Sequence, residues 1–275
     1  MRCLRLLPKR LVFSVMSKTE SLLSVRGLTL AFGDHVVQQD LSFDVRRGSI
    51  FAVMGPSGCG KSTIMRSMIG LLRPTLGTIL FDGADYWTGT DAVRAEMGRR
   101  FGVLFQGGAL WSALTVGENV ALPMQMFTTL DAVSIQRLVA VKLGLVGLSA
   151  AVDTMPSALS GGMRKRAGLA RALALDPDIL FLDEPSAGLD PVTSRRMDDL
   201  ILNLRDGLGA TIIVVSHELA SLFAVADDGV FLDAVRKTAI AHGSPATLRD
   251  GCADPQVRAF MRREQVEPAH KEAVG

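Results

Sequence analysis

The amino-acid sequence predicts an α/β fold built on a mostly parallel sheet, and three observations predict it. Residues 55–63 read GPSGCGKST, between a short apolar run and a helical stretch. Residues 179–182 and 211–215 are apolar runs rich in β-branched or bulky side chains, each following a helical stretch, as strands buried on both faces do. Residues 22–32 and 36–45 instead alternate apolar and polar side chains around Gly33 and Asp34, the pattern of half-buried antiparallel strands.

The elements follow in order. Residues 1–18 carry Arg2, Arg5, Lys9, Arg10 and Lys18 and no acid. Their apolar centre, 11–16, is short for a signal peptide and lacks a small-residue cleavage site, and an organelle transit peptide is a weak fit. Residues 1–21 are therefore read as a disordered basic tail, with a start at Met16 as a variant of that reading. Residues 49–54 form a strand ending at Gly55, and a helix is expected from Lys61 to Leu72, stopped by Arg73-Pro74. GTILFD at 77–82 reads as a further strand of the antiparallel layer. From 107 to 159 the pattern is mostly helical, with Pro123 and Gly144 as interruptions. A short helix is expected over 254–264, with Asp254 as cap and Pro255 at its first position, followed by a loose polar end.

Composition narrows the function classes. With 275 residues and 48% hydrophobic content the chain can bury a full core, and global disorder is excluded. A formal net charge of +2 gives no argument for nucleic acid. Cys3, Cys59 and Cys252 are far apart and form no paired framework, which suits a reducing compartment. No stretch reaches the roughly 18 uninterrupted apolar residues of a membrane span. The nearest, 139–152, is interrupted by Lys142.

The strongest motif is GPSGCGKST, which fits G-x-x-x-x-G-K-[ST] at fixed positions between a strand and a helix. Gly55, Gly58 and Gly60 let the backbone approach phosphate oxygens, with Pro56, Ser57 and Cys59 completing the loop. The helix that follows turns its free N–H groups and positive dipole end toward the same anion. Lys61 adds a point charge for the β- and γ-phosphates, Ser62 offers a hydroxyl to Mg²⁺, and Thr63 ends the motif. ILFLDE at 179–184 is an apolar strand delivering two adjacent carboxylates. Successive side chains of a strand point to opposite faces, so Asp183 and Glu184 cannot share one job. On its own such a pair is usually a solvated strand end. LSGG at 159–162, before a basic cluster, is by itself a helix start capped by Ser160.

In this order the three segments resemble the ATP-binding subunit of an ABC transporter, over residues 22–243. The resemblance implies a P-loop NTPase, RecA-like core with a small antiparallel β layer and an inserted helical subdomain at about 107–175, leaving 244–275 as a C-terminal helix and polar tail. It assigns Asp183 to the Mg²⁺ shell and Glu184 to the attacking water. Ser160, Gly161 and Gly162 become the signature segment, which caps the γ-phosphate held by a second subunit. A head-to-tail homodimer around two ATP molecules is thereby implied. Met163 stands where the commonest signature has Gln, which puts that residue's contact in doubt. Gln106 matches the glutamine that senses Mg²⁺ and water, His217 the switch histidine, and Asp190, in SAGLD, the loop that touches the opposite subunit. Phe32 matches an aromatic that stacks on adenine, with a core strand residue as its alternative.

Within the family, LSGGM with its basic cluster and LARALALDP, and FQGGALWSALTVGENVALP at 105–123, are similar to ATPases serving MCE-type lipid carriers, the Mla phospholipid system being the example. The expected partners are membrane permease subunits, an MCE-type carrier and a small regulatory subunit, and the expected place is the cytoplasmic face of the inner membrane. Ala109, Leu110, Trp111 and Leu114 are expected to form an apolar face in the permease-receiving groove, or else a buried helix. Rival classes fit less well. A soluble ABC-type ATPase of nucleic acid or ribosomes would be expected to show a second nucleotide-binding unit, a coiled-coil insertion or a basic surface. A GTPase would need N-K-x-D, and a pure scaffold would not carry every hydrolytic element.

Overall fold

The computed structural model describes residues 21–264; the basic tail up to residue 20 and the polar end from 265 lie outside the described residues. β1 (Ser21–Phe32) and β2 (His35–Arg46) form a hairpin turning at Gly33 and Asp34, with Phe32 opposite His35. Ser21 thus belongs to the first strand rather than to the tail. β3 (Ile50–Met54) leads through the glycine-rich loop into α1 (Lys61–Met68). That helix ends a turn before the expected Leu72, because Leu71 and Leu72 donate back to the Arg66 carbonyl at 2.8 and 3.2 Å and close the last turn.

β4 (Leu76–Phe81) pairs antiparallel with β1, and β5 (Ala84–Asp85) completes a four-stranded sheet of order β2-β1-β4-β5. α2 (Asp91–Arg99), capped by Thr90, is an element the pattern does not announce: it buries only Met97, so it carries almost no apolar period. β6 (Phe101–Leu104) follows, then α3 (Val116–Phe127) and α4 (Ala132–Leu145).

Pro123 does not interrupt α3. A proline inside a helix costs about 3 kcal/mol, but Val116, Val120, Ala121 and Met124 are buried along the same helix. Its start is fixed by a reciprocal cap, Thr115 Oγ1 accepting from Glu118 N–H and Glu118 Oε2 from Thr115 N–H. Two 3₁₀ turns, Ser149–Ala151 and Pro156–Ala158, lead to α5 (Gly161–Ala172). The rest alternates: β7 (Ile179–Asp183), α6 (Pro191–Leu208), β8 (Thr211–Val215), α7 (Leu219–Val225), β9 (Asp228–Leu232), β10 (Ala239–His242), α8 (Pro245–Gly251) and α9 (Pro255–Arg262). Asp254 caps α9 as expected, accepting from Gln256 N–H at 2.8 Å.

The second sheet has the order β10-β9-β3-β8-β7-β6, parallel throughout except for β10. Its central strands are buried on both faces, and their alternation divides the core in two. Ile50, Ala52, Met54, Leu180, Leu182, Ile212 and Val214 face one side, packing with α3 to α9. Phe51, Val53, Ile179, Phe181, Ile213 and Val215 face the other, packing with α1 and the antiparallel sheet. The parallel strands end together, so the loops after β3, β7, β8 and β6 open at one edge, where ligands of such sheets bind.

Candidate functional site

The glycine-rich loop leaves the centre of the sheet, since β3 lies between β8 and β9. It is braced on two sides. A Cβ on Gly55 would lie 2.6 Å from the Leu232 carbonyl oxygen, and one on Gly60 2.7 Å from Val37 Cγ1, while both backbones hold positive φ. Glycine is therefore the residue that fits. α2 through α6 begin on side-chain caps, whereas α1 begins at Gly60 with none. Its leading N–H groups receive no side-chain cap, which leaves them open to an anion. Lys61 is buried, and Nζ donates to the Gly55 and Pro56 carbonyls at 2.8 and 2.9 Å, which keeps the cation on the loop itself. Cys59, buried beneath, has its thiol pKa pushed up by burial.

Asp183 and Glu184 separate as strand alternation requires. Asp183, the last residue of β7, accepts from Ser62 Oγ at 3.2 Å. Burial and the neighbouring Glu184 charge push its pKa up, opposed by the Ser62 hydrogen bond and by Arg66 and Lys61. Glu184 stands at φ 49°, a left-handed conformation costly for a non-glycine residue. Its N–H donates to the Val215 carbonyl at 2.8 Å, and its carboxylate lies between Ser216 Oγ, donating to Oε2 at 2.9 Å, and His217 Nδ1, 2.6 Å from Oε1. At 8% exposure, Glu184 is a buried acid aimed at the mouth of the loop after β8. Ser216 was not singled out from the sequence; only its place beside His217 in a strand end signals it.

The other expected residues are placed as follows. Gln106 is exposed just after β6, at the same sheet edge as Asp183, because Leu104 pairs with Leu182. Phe32 is 56% exposed at the end of β1, which removes the core-residue alternative. Ser160 caps α5, accepting from Met163 N–H at 3.2 Å, and it and Gly161 are exposed. Gly162 packs on α6: a Cβ there would lie 2.6 Å from Thr193 Cγ2. α5 rests on β6, α3, α4 and α6, whereas α1 rests on β7 and β8, so the two helices pack on different parts of the fold. Asp190 caps α6, accepting from Val192 and Thr193 N–H at 3.1 and 3.0 Å, and its pKa is lowered by its hydrogen bonding to Thr193. Among Ala109, Leu110, Trp111 and Leu114, Trp111 is 63% exposed, but none lines the neighbouring groove of about 470 Å³. That groove lies instead between α2, β6, α3 and α5, with Arg94, Phe101, Pro123, Phe127 and Arg171 among its walls.

Two buried polar groupings escaped the sequence reading because each needs tertiary contact to be seen. Gln38 Nε2 donates to the Cys59 carbonyl at 2.7 Å and the Asp233 carbonyl at 3.0 Å, pinning the glycine-rich loop to the turn after β9. Asp198 on α6 accepts through Oδ1 from Ser186 and Ser221, joining the segment after Glu184 to α7. Burial raises the Asp198 pKa more than those hydroxyls lower it. The folded chain therefore takes up that proton more readily than the unfolded one. The residue's contribution to stability is fully present below the ordinary carboxylate value of about 3.9 and is lost as pH rises through the raised folded value. Asp198→Asn keeps a carbonyl acceptor and removes the titration. Melting temperatures measured across pH 4 to 7 should show the variant gaining on the wild type as pH rises; a constant difference would contradict this account.

Comparison with known proteins agrees with the geometry. The family model described as ABC transporter matches residues 38–187. The chain is 40% identical over 249 residues to the intermembrane phospholipid transport system ATP-binding protein MlaF of Haemophilus influenzae, covering 90% of this chain and 93% of that one. It is 39% identical over 246 residues to the probable ribonucleotide transport ATP-binding protein mkl of Mycobacterium leprae, covering 90% and 70%. Among solved structures, the dimeric ATP-binding cassette MJ0796 bound to ADP and Pi aligns with a TM-score of 0.73 at 25% identity, covering 80% of this chain and 97% of that one. CbiO1 of Clostridium perfringens, part of the ABC transporter complex cbiONQ, aligns with a TM-score of 0.77 at 26% identity, covering 89% and 97%. A loop built for phosphates, a buried acid at the adjoining strand end and this match over most of the chain lead to one conclusion: the chain belongs to the ABC transporter family, as an ATP-binding subunit that hydrolyses ATP.

Proposed function

We propose that the chain powers phospholipid transport at the cell envelope, as the peripheral ATPase of a permease on the cytoplasmic face of the inner membrane. The observation that carries the reading is the 40% identity to MlaF over nearly the full length of both chains. Among the described residues no helix is long and apolar enough to cross a membrane, so the permease would be a separate chain. The groove between α2, β6, α3 and α5, with its arginines and aromatic floor, would suit a helix offered by that permease. An MCE-type lipid carrier and a small regulatory subunit complete the proposed complex.

The division of labour follows from the site. Gly55 to Gly60 and the start of α1 would wrap the nucleotide phosphates, Lys61 would neutralise them, and Phe32 would stack on adenine. Mg²⁺ fits Ser62 and Asp183: both offer hard oxygen atoms, and a carboxylate raised by burial gains from a nearby cation. No group of three His, Cys, Asp or Glu side chains forms a self-sufficient cage among the described residues, in keeping with an ion shared with phosphate. That ion, when bound, would neutralise charge on the transferred phosphoryl group. Glu184 would orient the attacking water, held by Ser216 and His217, with Gln106 at the same edge. Ser160, Gly161 and Gly162 at the exposed start of α5 would cap the nucleotide held by a second copy, and Asp190 would meet that copy's loop. Two copies would thus close head to tail around two ATP molecules, and hydrolysis would release them.

A second reading comes from the relative named for ribonucleotide transport. Purifying the tagged chain with its membrane complex and identifying subunits and bound small molecules by mass spectrometry separates the two. A multi-spanning partner and co-purifying phospholipid are expected. Ribonucleotide retained in excess of the two ATP sites, with no phospholipid, or a complex containing no membrane subunit, would overturn the phospholipid reading.

A further inference from the structure

We infer that Lys165 is a positioning residue that couples the two ATP sites of the dimer through a single chain. The inference rests on the reading that the α5 start serves the partner's nucleotide. Lys165 lies five residues after Ser160 on α5, about 7.5 Å along the axis, and is only 7% exposed. Its ammonium donates to the Glu184 carbonyl at 2.8 Å and to the Ala187 carbonyl at 2.6 Å. One side chain thereby grips both ends of the segment that begins with the water-orienting acid and runs toward Asp190.

The contact is expensive, and its chemistry limits what it does. An ammonium taken from water must recover its hydration from protein acceptors. Burial lowers the Lys165 pKa, with the Glu184 and Glu218 charges working against that effect. Both acceptors are main-chain carbonyls rather than a carboxylate, so the bond fixes backbone orientation. Glu184 is where such fixing matters: at φ 49° its peptide sits in a sparsely populated conformation, stable only when the surroundings over-determine it. Gly161, Gly162, Met163 and Arg164 lie between the cap and Lys165 on one continuous helix. A shift of Ser160 toward a phosphate on the partner would therefore move the ammonium with it. The carbonyls of Glu184 and Ala187 would follow. Occupation of the far site would set the acid of the near one.

The test uses the full chain, in its membrane complex where that is needed for turnover. Lys165→Met keeps the stem and removes the donors, Lys165→Gln keeps one donor group without charge, and Lys165→Arg restores both charge and donors. Misplacing a catalytic group by about 1 Å can cost 10²-fold, so Lys165→Met should lower kcat about 10- to 100-fold. Fluorescent-nucleotide affinity should stay within about twofold of wild type, by the same argument that only the acid is displaced. The cooperative dependence of hydrolysis on ATP concentration should flatten, and Lys165→Arg should recover most of kcat and the cooperativity. Lys165→Gln is read in place of Lys165→Met if the latter does not fold. A folded Lys165→Met or Lys165→Gln with wild-type kcat and cooperativity, beside a cooperative wild type, would overturn the coupling role alone. A wild type that turns over without cooperativity as a verified monomer would overturn the shared-site reading beneath it.

Discussion

Glu184→Gln is expected to lower steady-state ATP hydrolysis by about 10²–10³ or more while leaving nucleotide binding intact. The geometry separates these two effects. The Glu184 carboxylate faces Ser216 and His217, whereas the groups proposed to bind phosphate are the loop amides, Lys61 and the start of α1. An amide retains one carbonyl acceptor and almost the same shape, so the loop after β8 and the left-handed turn at residue 184 should persist. What it loses is the negative charge proposed to orient and polarise water in the transition state. Turnover measured with Mg²⁺, together with a nucleotide titration on the same preparation, checks both halves. Hydrolysis at the wild-type rate would remove Glu184 from that role. Weakened binding would mean that the acid also organises the phosphate loop.

Lys61→Ala should fail at the earlier step. Hydrogen bonds to charged groups contribute roughly 1.5–3 kcal/mol, which corresponds to about a 10- to 100-fold loss of nucleotide affinity. Lys61 is the cation seated on the loop, and its side chain is buried there. Removing it also frees the Gly55 and Pro56 carbonyls at the point where phosphate oxygens would approach, adding repulsion to lost attraction. Fluorescent-nucleotide binding is the deciding measurement, with the melting temperature as a control for folding. Wild-type affinity in a folded variant would show that the backbone amides and helix dipole suffice alone.

The parts of the site that could be read from sequence are those set by backbone geometry. A strand, a glycine-rich turn and a helix start fix where Lys61 and Ser62 stand, and strand alternation alone separates Asp183 from Glu184. Buried polar side chains could not be read this way. Gln38 is a polar residue in a half-buried strand, yet it is fully buried, because its amide joins two carbonyls lying 21 and 195 residues away in the chain. Lys165 is one of three consecutive basic residues, and nothing in that run marks it as buried. Only the packing of α5 over the segment after β7 makes it a buried donor. For the fold, β1, β2, β3, β4, β7 and β8 were legible from their patterns, whereas β5, β9 and β10 were not read from the sequence. α2 was not, having one buried residue, and Pro123 misled, since tertiary burial outweighs its local cost. Fold and site were thus legible wherever one local pattern decides, and opaque wherever a distant segment supplies the partner.

The place of β3 at the middle of its sheet has a consequence for biosynthesis. Both of its neighbours, β8 and β9, leave the ribosome only after roughly 160 further residues, about 10–30 s at typical elongation rates. Throughout that interval five apolar residues with two open hydrogen-bonding edges have no native mate. The nascent polypeptide is most exposed to wrong pairing then, and the nucleotide cradle, hung from that strand, cannot set until β8 and β9 have been made.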